Sequence, residues 1–229
     1  MASAKVELFG SLDCPYAYLA TFRLRQLWSE YAGRIEIVWR PLSLEYVNER
    51  AVTRPLIDAE RELFERIEPD LPYHRWSAPD WEWPTTMWPA FEALACAQAQ
   101  NSQAAFAMSW ALRHGFYAES RNIALRHELL AVAQAVSQQA SLDTERFEKD
   151  WDGGRYKESV IEDSRRGWHE LEVEGSVTFV LPDGRRVTNP GIGEIDFDEE
   201  KYVLRSYQPY AGDPLQAYRE LLDEAASLS

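Results

Sequence analysis

Before residue 42 the chain runs strand, helix, strand, and that order leaves few folds open. Residues 5–10, Lys5-Val6-Glu7-Leu8-Phe9-Gly10, are short and apolar-rich. They lead into Ser11-Leu12-Asp13-Cys14-Pro15-Tyr16-Ala17-Tyr18-Leu19-Ala20, after which Leu24, Leu27, Trp28 and Tyr31 recur at the i, i+3, i+4, i+7 spacing of an amphipathic helix. Residues 34–40 then alternate apolar and charged side chains, and Pro41 ends the run. Two strands joined through a helix this soon must lie parallel, with a right-handed crossover.

The rest of the chain supplies what that unit needs to close a core. From about residue 51 the pattern is helical for roughly 120 residues. Met87, Phe91, Leu94 and Ala95 share one face, and Leu129, Val132, Ala133 and Val136 another. Tyr156, Val160, Ser164, Trp168 and Leu171 continue the periodicity after the break at Gly153-Gly154. Strand character returns at residues 176–181, Pro182-Asp183-Gly184 turns the chain, and residues 185–188 can run back antiparallel. The acidic segment 191–201 carries no clear period and is expected at the surface. A last helix is predicted from an Asp213 N-cap and Pro214, burying Leu215, Tyr218, Leu222 and Ala225. Neither sheet portion closes a core alone. Together they make a four-stranded mixed sheet with helices on both faces: an α/β domain formed by residues 1–50 and 171–229, split by a helical insertion over residues 51–170.

Charge and cysteine content narrow the function. A net charge of -14 opposes binding to nucleic acid or to an anionic membrane surface. No segment has the length and apolarity of a membrane span, and Met1-Ala2-Ser3-Ala4-Lys5 has no signal-peptide character, so a cytoplasmic location is expected. Two cysteines, Cys14 and Cys96, make no disulfide framework.

Cys14 sits where the first strand hands over to the helix, with Pro15 suited to the first helical position. An N-cap thiol faces unpaired amides and the positive end of the helix dipole, which favours thiolate, the reactive form. Cys96, within Ala93-Leu94-Ala95-Cys96-Ala97, fits close helix packing instead. His74, His114, His127 and His169 show no metal-ligand spacing, and no metal site is expected. Residues 72–89 hold four of the nine tryptophans and enough proline to form a loop until Thr85 or Thr86 caps the next helix. Such rings either pin a loop to the core or wall an apolar ligand pocket.

The element order, the helical insertion and the Asp13-Cys14-Pro15-Tyr16-Ala17-Tyr18-Leu19-Ala20 motif together resemble the DsbA family of thioredoxin-fold proteins. The similarity is to its FrnE-like oxidoreductase, 2-hydroxychromene-2-carboxylate isomerase and kappa-class glutathione transferase branches. It extends over nearly the whole chain, including Trp39-Arg40-Pro41-Leu42, Thr178-Phe179-Val180 and Asp183-Gly184. The resemblance implies Cys14 as the catalytic position. It also implies that Tyr16, Ala17, Ser176, Val177 and Thr178 contact substrate, and that the insertion roofs the site with Trp83 and Trp88.

Three departures from the family pattern shape that expectation. Ala17 stands where the oxidoreductases carry the second cysteine of Cys-x-x-Cys, so the usual intramolecular resolving step is unavailable. Val177 replaces the cis proline of the facing loop. A cis bond before a non-proline residue costs about 2.5–4 kcal/mol, so a trans peptide is expected at Ser176-Val177. Residues 189–194 lack the Asp-Ser or Asp-Arg pair that would hold the γ-glutamyl end of glutathione, and Glu194 and Asp196 would repel its carboxylates.

The implied activity is that of a single-thiol oxidoreductase acting on a small-molecule or thiol/disulfide substrate. No cofactor is expected to be tightly bound, and a small thiol such as glutathione or mycothiol is the expected co-substrate. The alternatives are a glutathione-dependent isomerase or transferase, and a non-catalytic module binding a small ligand or a protein. The oligomeric state stays open, a homodimer included.

Overall fold

The structure is a computed structural model that describes residues 3–198 and 200–228. Its centre is strand β1 (Ala4–Gly10), flanked on both edges. β2 (Ile35–Pro41) pairs with it in parallel, from Ala4 opposite Ile35 to Gly10 opposite Pro41. β3 (Thr178–Val180) pairs antiparallel on the other edge, with Leu8 opposite Phe179, and β4 (Arg186–Thr188) pairs antiparallel with β3. The order β2-β1-β3-β4 makes a mixed sheet whose central strand is covered on both faces: Val6, Leu8 and Phe9 are all buried.

The crossover helix α1 (Pro15–Tyr31) buries Ala17, Leu24, Leu27 and Tyr31. Helix α9 (Pro214–Ser227) packs beside it; the Asp213 carboxylate accepts from the Leu215 amide at 2.9 Å, and the Tyr218 ring meets Phe179 edge-on. Between β2 and β3 come six helices: α2 (Leu44–Asn48), α3 (Arg54–Ile67), α4 (Trp88–Gln98), α5 (Ser102–Tyr117), α6 (Arg126–Ser137) and α7 (Thr144–Asp152), followed by α8 (Lys157–Arg165) as a seventh. The stripe Leu129, Val132, Ala133 and Val136 is wholly buried. Helix α4 begins one step later than expected, with Met87 at the cap position, although the Thr86 hydroxyl still accepts from the Trp88 amide at 3.3 Å.

Helix α4 also protects the outer edge of β2. The Gln98 carboxamide accepts from the Trp39 amide at 2.7 Å and donates to the Trp39 carbonyl at 3.1 Å, standing in for a neighbouring strand. The periodic run over 156–171 does not stay α-helical throughout. It widens into a π turn at Arg166–Glu170, where Leu171 N–H reaches the Arg166 carbonyl at 2.8 Å. Gly167 occupies the tightest point of that turn: a methyl there would stand 2.5 Å from Leu42 Cδ1 and 2.9 Å from Phe9 Cδ1.

The segment expected to be plain surface is instead the first half of a second, two-stranded sheet. β5 (Glu194–Asp198) pairs antiparallel with β6 (Val203–Gln208), half-burying Ile195, Phe197, Leu204 and Tyr207. Its alternation was masked by the acidic side chains on the outward face. The main sheet, α1 and α9 give the β-α-β and β-β-α order of a thioredoxin fold, with a helical insertion between its halves.

Candidate functional site

Cys14 occupies the N-cap of α1 with extended backbone angles, followed by Pro15 at the first helical position. Its side chain makes no capping bond to the helix. The thiol instead donates to the Ser176 carbonyl at 3.3 Å, across the turn that precedes β3. Only 5% of the residue's surface is exposed. Burial pushes the thiol up to about 12, outweighing Ser176 and the amides of Ala17 and Tyr16, which favour the anion; the Glu60 carboxylate adds to the upward push. The expected resting thiolate is therefore corrected to a neutral, shielded thiol. Helix polarity was legible in the sequence, but the desolvation that defeats it was not.

The facing loop departs from expectation as well: the Ser176-Val177 peptide is cis, not trans. The local preference considered from sequence omits the tertiary partners of this loop. Ser11 N–H donates to Ser176 Oγ at 2.9 Å, and Val177 N–H donates to Asn189 Oδ1 at 3.1 Å. Thr178 Oγ1 adds a bond to the Gly175 carbonyl at 2.7 Å and lies 2.8 Å from Thr188 Oγ1. Ser176, Val177 and Thr178 are all buried, and the Ser176 carbonyl accepts from the thiol.

Three residues not singled out from sequence complete the surroundings. Ser11 Oγ–H donates to Asp13 Oδ1, and burial holds the Asp13 carboxyl above the usual carboxylate range despite that bond. Arg113, on α5, donates through Nη2 to the Ser11 carbonyl at 3.2 Å and through Nη1 to the Ser109 hydroxyl and carbonyl at 2.6 and 3.2 Å. Ser11 is thus shared: its carbonyl takes Arg113 while its amide holds Ser176, the residue that receives the thiol. Gly10 lets these parts approach, since a methyl there would stand 3.2 Å from Ala17 Cβ and 3.6 Å from Arg113 Nη2. The i, i+4 spacing of Ser109 and Arg113 was visible in the sequence. Nothing marked this arginine, in Ser109-Trp110-Ala111-Leu112-Arg113, as the buried one.

The remaining predicted residues divide. Ala17 is fully buried beneath the sulfur's helix turn, and the Tyr16 ring lies edge-on to Phe64 at 4.9 Å. Tyr18, one helical turn beyond Cys14, stacks on Tyr117 at 4.9 Å, and Tyr73 meets Tyr117 edge-on at 4.8 Å. Trp83 joins this aromatic layer through Phe116 and donates its indole N–H to the Val52 carbonyl at 3.1 Å. Trp88 lies instead at the head of α4, against Tyr46 and Phe91. Cys96 is buried and free, as is Cys14, and burial raises its thiol to about 12 too. A cleft of about 590 Å³ at the far end of α1, lined by Trp28, Phe106, Arg25 and Gln139 among others, contains neither thiol. Among the described residues no helix is long and apolar enough to cross a membrane.

A shielded thiol at the start of the first helix, facing the loop before β3, places the molecule among thioredoxin-fold thiol proteins. The sequence profile of the DSBA-like thioredoxin domain matches residues 5–203, and the chain belongs to that family of oxidoreductases. Its fold is similar to that of the cytosolic disulfide reductase DsbM from Pseudomonas aeruginosa, with a TM-score of 0.65 and 19% identity over 98% of this chain and 100% of that one. The same reductase with GSH matches with a TM-score of 0.62 and 18% identity, covering 96% of this chain and 99% of that one. A 2-hydroxychromene-2-carboxylate isomerase matches more loosely, with a TM-score of 0.56 and 16% identity over 80% of this chain and 87% of that one. No curated protein matches the sequence significantly.

Proposed function

We propose that the protein is a single-thiol disulfide oxidoreductase in which Cys14 exchanges with a disulfide and an external small thiol completes the cycle. The observation that carries this reading is the Cys14 sulfur at the N-terminus of α1, held 3.3 Å from the Ser176 carbonyl, with the Ala17 and Tyr16 amides favouring its anion. After loss of the thiol proton to solvent, the Cys14 thiolate attacks one sulfur of a substrate disulfide. A Cys14–substrate disulfide forms, and the other half leaves as thiolate. A methyl group at Ala17 cannot take the next step, so the thiolate of a small thiol attacks the mixed disulfide, restores Cys14 and carries away the oxidised product. Glutathione is the natural probe, in keeping with a similar reductase solved with GSH. Residues 1–50 and 171–229 would carry the thiol, and residues 51–170 would cover it.

A second reading rests on the neutral state of the thiol. A Cys14 S–H that donates to a carbonyl can equally donate to the sulfur of a bound glutathione thiolate, the role an isomerase or transferase would require. The two readings separate on one point: exchange leaves glutathione covalently attached to Cys14, whereas the isomerase role does not. The test is exposure of the Cys96→Ala protein to glutathione disulfide, followed by intact mass and peptide mapping.

A further inference from the structure

Arg113 is 1% exposed, yet no carboxylate pairs with it among the described residues. Its hydrogen bonds all go to neutral acceptors, namely the Ser109 hydroxyl and carbonyl and the Ser11 carbonyl, and its buried Nε has no partner. The guanidinium also lies over the Trp39 ring, 5.6 Å from its centroid. A buried cation without an anion is a costly arrangement that a protein seldom keeps unless an anion forms beside it.

Taking Cys14 as the exchanging sulfur, we infer that Arg113 is a positioning residue whose unpaired charge is the counter-ion for the Cys14 thiolate. The route is short and fixed: Arg113 grips the Ser11 carbonyl, the Ser11 amide grips Ser176, and the Ser176 carbonyl holds the Cys14 thiol. In the resting protein the sulfur is protonated and, among the described residues, no carboxylate bonds to the guanidinium. When the thiol ionises, a thiolate forms near a guanidinium that no carboxylate holds, which lowers the cost of forming the nucleophile.

The other groups facing this centre do not serve. Asp13, next in the chain, takes the Ser11 hydroxyl and makes no hydrogen bond to Arg113; burial raises its carboxyl, although the Arg113 charge favours its anion. Glu60 on α3 opposes a thiolate. Tyr73, from the stretch after α3, and Tyr117, one turn past Arg113 on α5, are both held neutral well above the usual phenol range by burial. Arg113 interacts electrostatically with Cys14 and is itself brought down to about 10 by burial, yet it is still charged at neutral pH.

The test compares Cys14 alkylation by iodoacetamide across pH in the Cys96→Ala background, with Arg113→Met and Arg113→Lys added separately. The Met variant is expected to label about tenfold more slowly at each pH, the equivalent of one unit in the thiol's pKa. The Lys variant, which keeps the charge as long as its ammonium stays protonated, is expected to stay within about threefold of the reference, about half a unit in the thiol's pKa. Unchanged labelling in a folded Met variant would overturn the charge role. If the Met variant does not fold, the Lys variant decides: a loss as large as tenfold there would mean that only the fork of hydrogen bonds matters. A reference protein in which Cys14 never labels would overturn the exchange reading itself, an outcome distinct from equal labelling with and without Arg113.

Discussion

The Cys14 thiol donates to the Ser176 carbonyl at 3.3 Å, joining residues 162 positions apart at the point where the first helix meets the second half of the sheet. This contact explains why the site is both well placed and quiet. The Tyr16 and Ala17 amides of α1 and the Ser176 side chain favour an anion, but the same closeness excludes water, and burial dominates. Chemistry at Cys14 depends on what can offset that burial: Arg113 from within, and a bound disulfide from without.

Restoring a second sulfur should change how the intermediate decays. In Ala17→Cys the new thiol lies one helical turn from Cys14, on the Cβ that faces Gly10. The mixed disulfide of Cys14 with glutathione should then resolve internally, shortening its lifetime by at least about tenfold, as expected when exchange becomes intramolecular. Time-resolved intact mass after acid quenching measures this. A lifetime equal to that of the Ala17 protein would show that position 17 cannot reach the sulfur.

How much of this was legible depended on whether local pattern or tertiary burial set the outcome. The strand run before Cys14, the stripe of α1 and the Asp213 cap obey short-range rules, and each element stands where its periodicity placed it. The β5–β6 hairpin was missed because Ile195 and Phe197 alternate with carboxylates that dominate the composition there. The protonation of Cys14 and the cis Ser176-Val177 bond were missed for a shared reason. Burial by residues far along the chain raises the thiol, and the loop carrying the cis bond is held by Ser11 and Asn189; no local pattern encodes either proximity. Arg113 was hidden by the common habit of arginine, which is to face solvent.

The free edge of β2 depends on one side chain. Gln98→Ala removes both of its bonds to the Trp39 backbone and leaves a partly buried amide and carbonyl unpaired. The expected cost is about 1–3 kcal/mol, or a fall in melting temperature of about 2–4 °C for each kcal/mol in a chain of this size. Thermal denaturation followed by circular dichroism reports it. A Tm within about 1 °C of the parent, below the shift one lost bond predicts, would mean that water replaces the carboxamide.

Acid stability should depend on Glu7, in β1. Burial alone would raise its carboxyl, but the bidentate bond from Arg166, at 2.8 and 2.9 Å, and the 2.7 Å bond from Arg40 hold it below the usual range. A depressed folded-state pKa contributes stability that is present above the unfolded value of about 4.5 and lost as the pH falls through the folded value. Glu7→Gln should therefore destabilise the protein at pH 7, with the difference from wild type shrinking below that value. Denaturant midpoints at several pH values check the sign. A deficit that persists unchanged into acid would assign the loss to packing rather than charge.

The most direct measurement is glutathionylation of the Cys96→Ala protein by glutathione disulfide, followed by intact mass from neutral to mildly alkaline pH. One glutathionyl group is expected, on Cys14, reversed by reduced glutathione and absent in Cys14→Ser. With the thiol raised to about 12, the rate should climb about tenfold per pH unit with no plateau in that range. No adduct at any pH, or a rate already level at neutrality, would contradict a shielded Cys14 that exchanges alone.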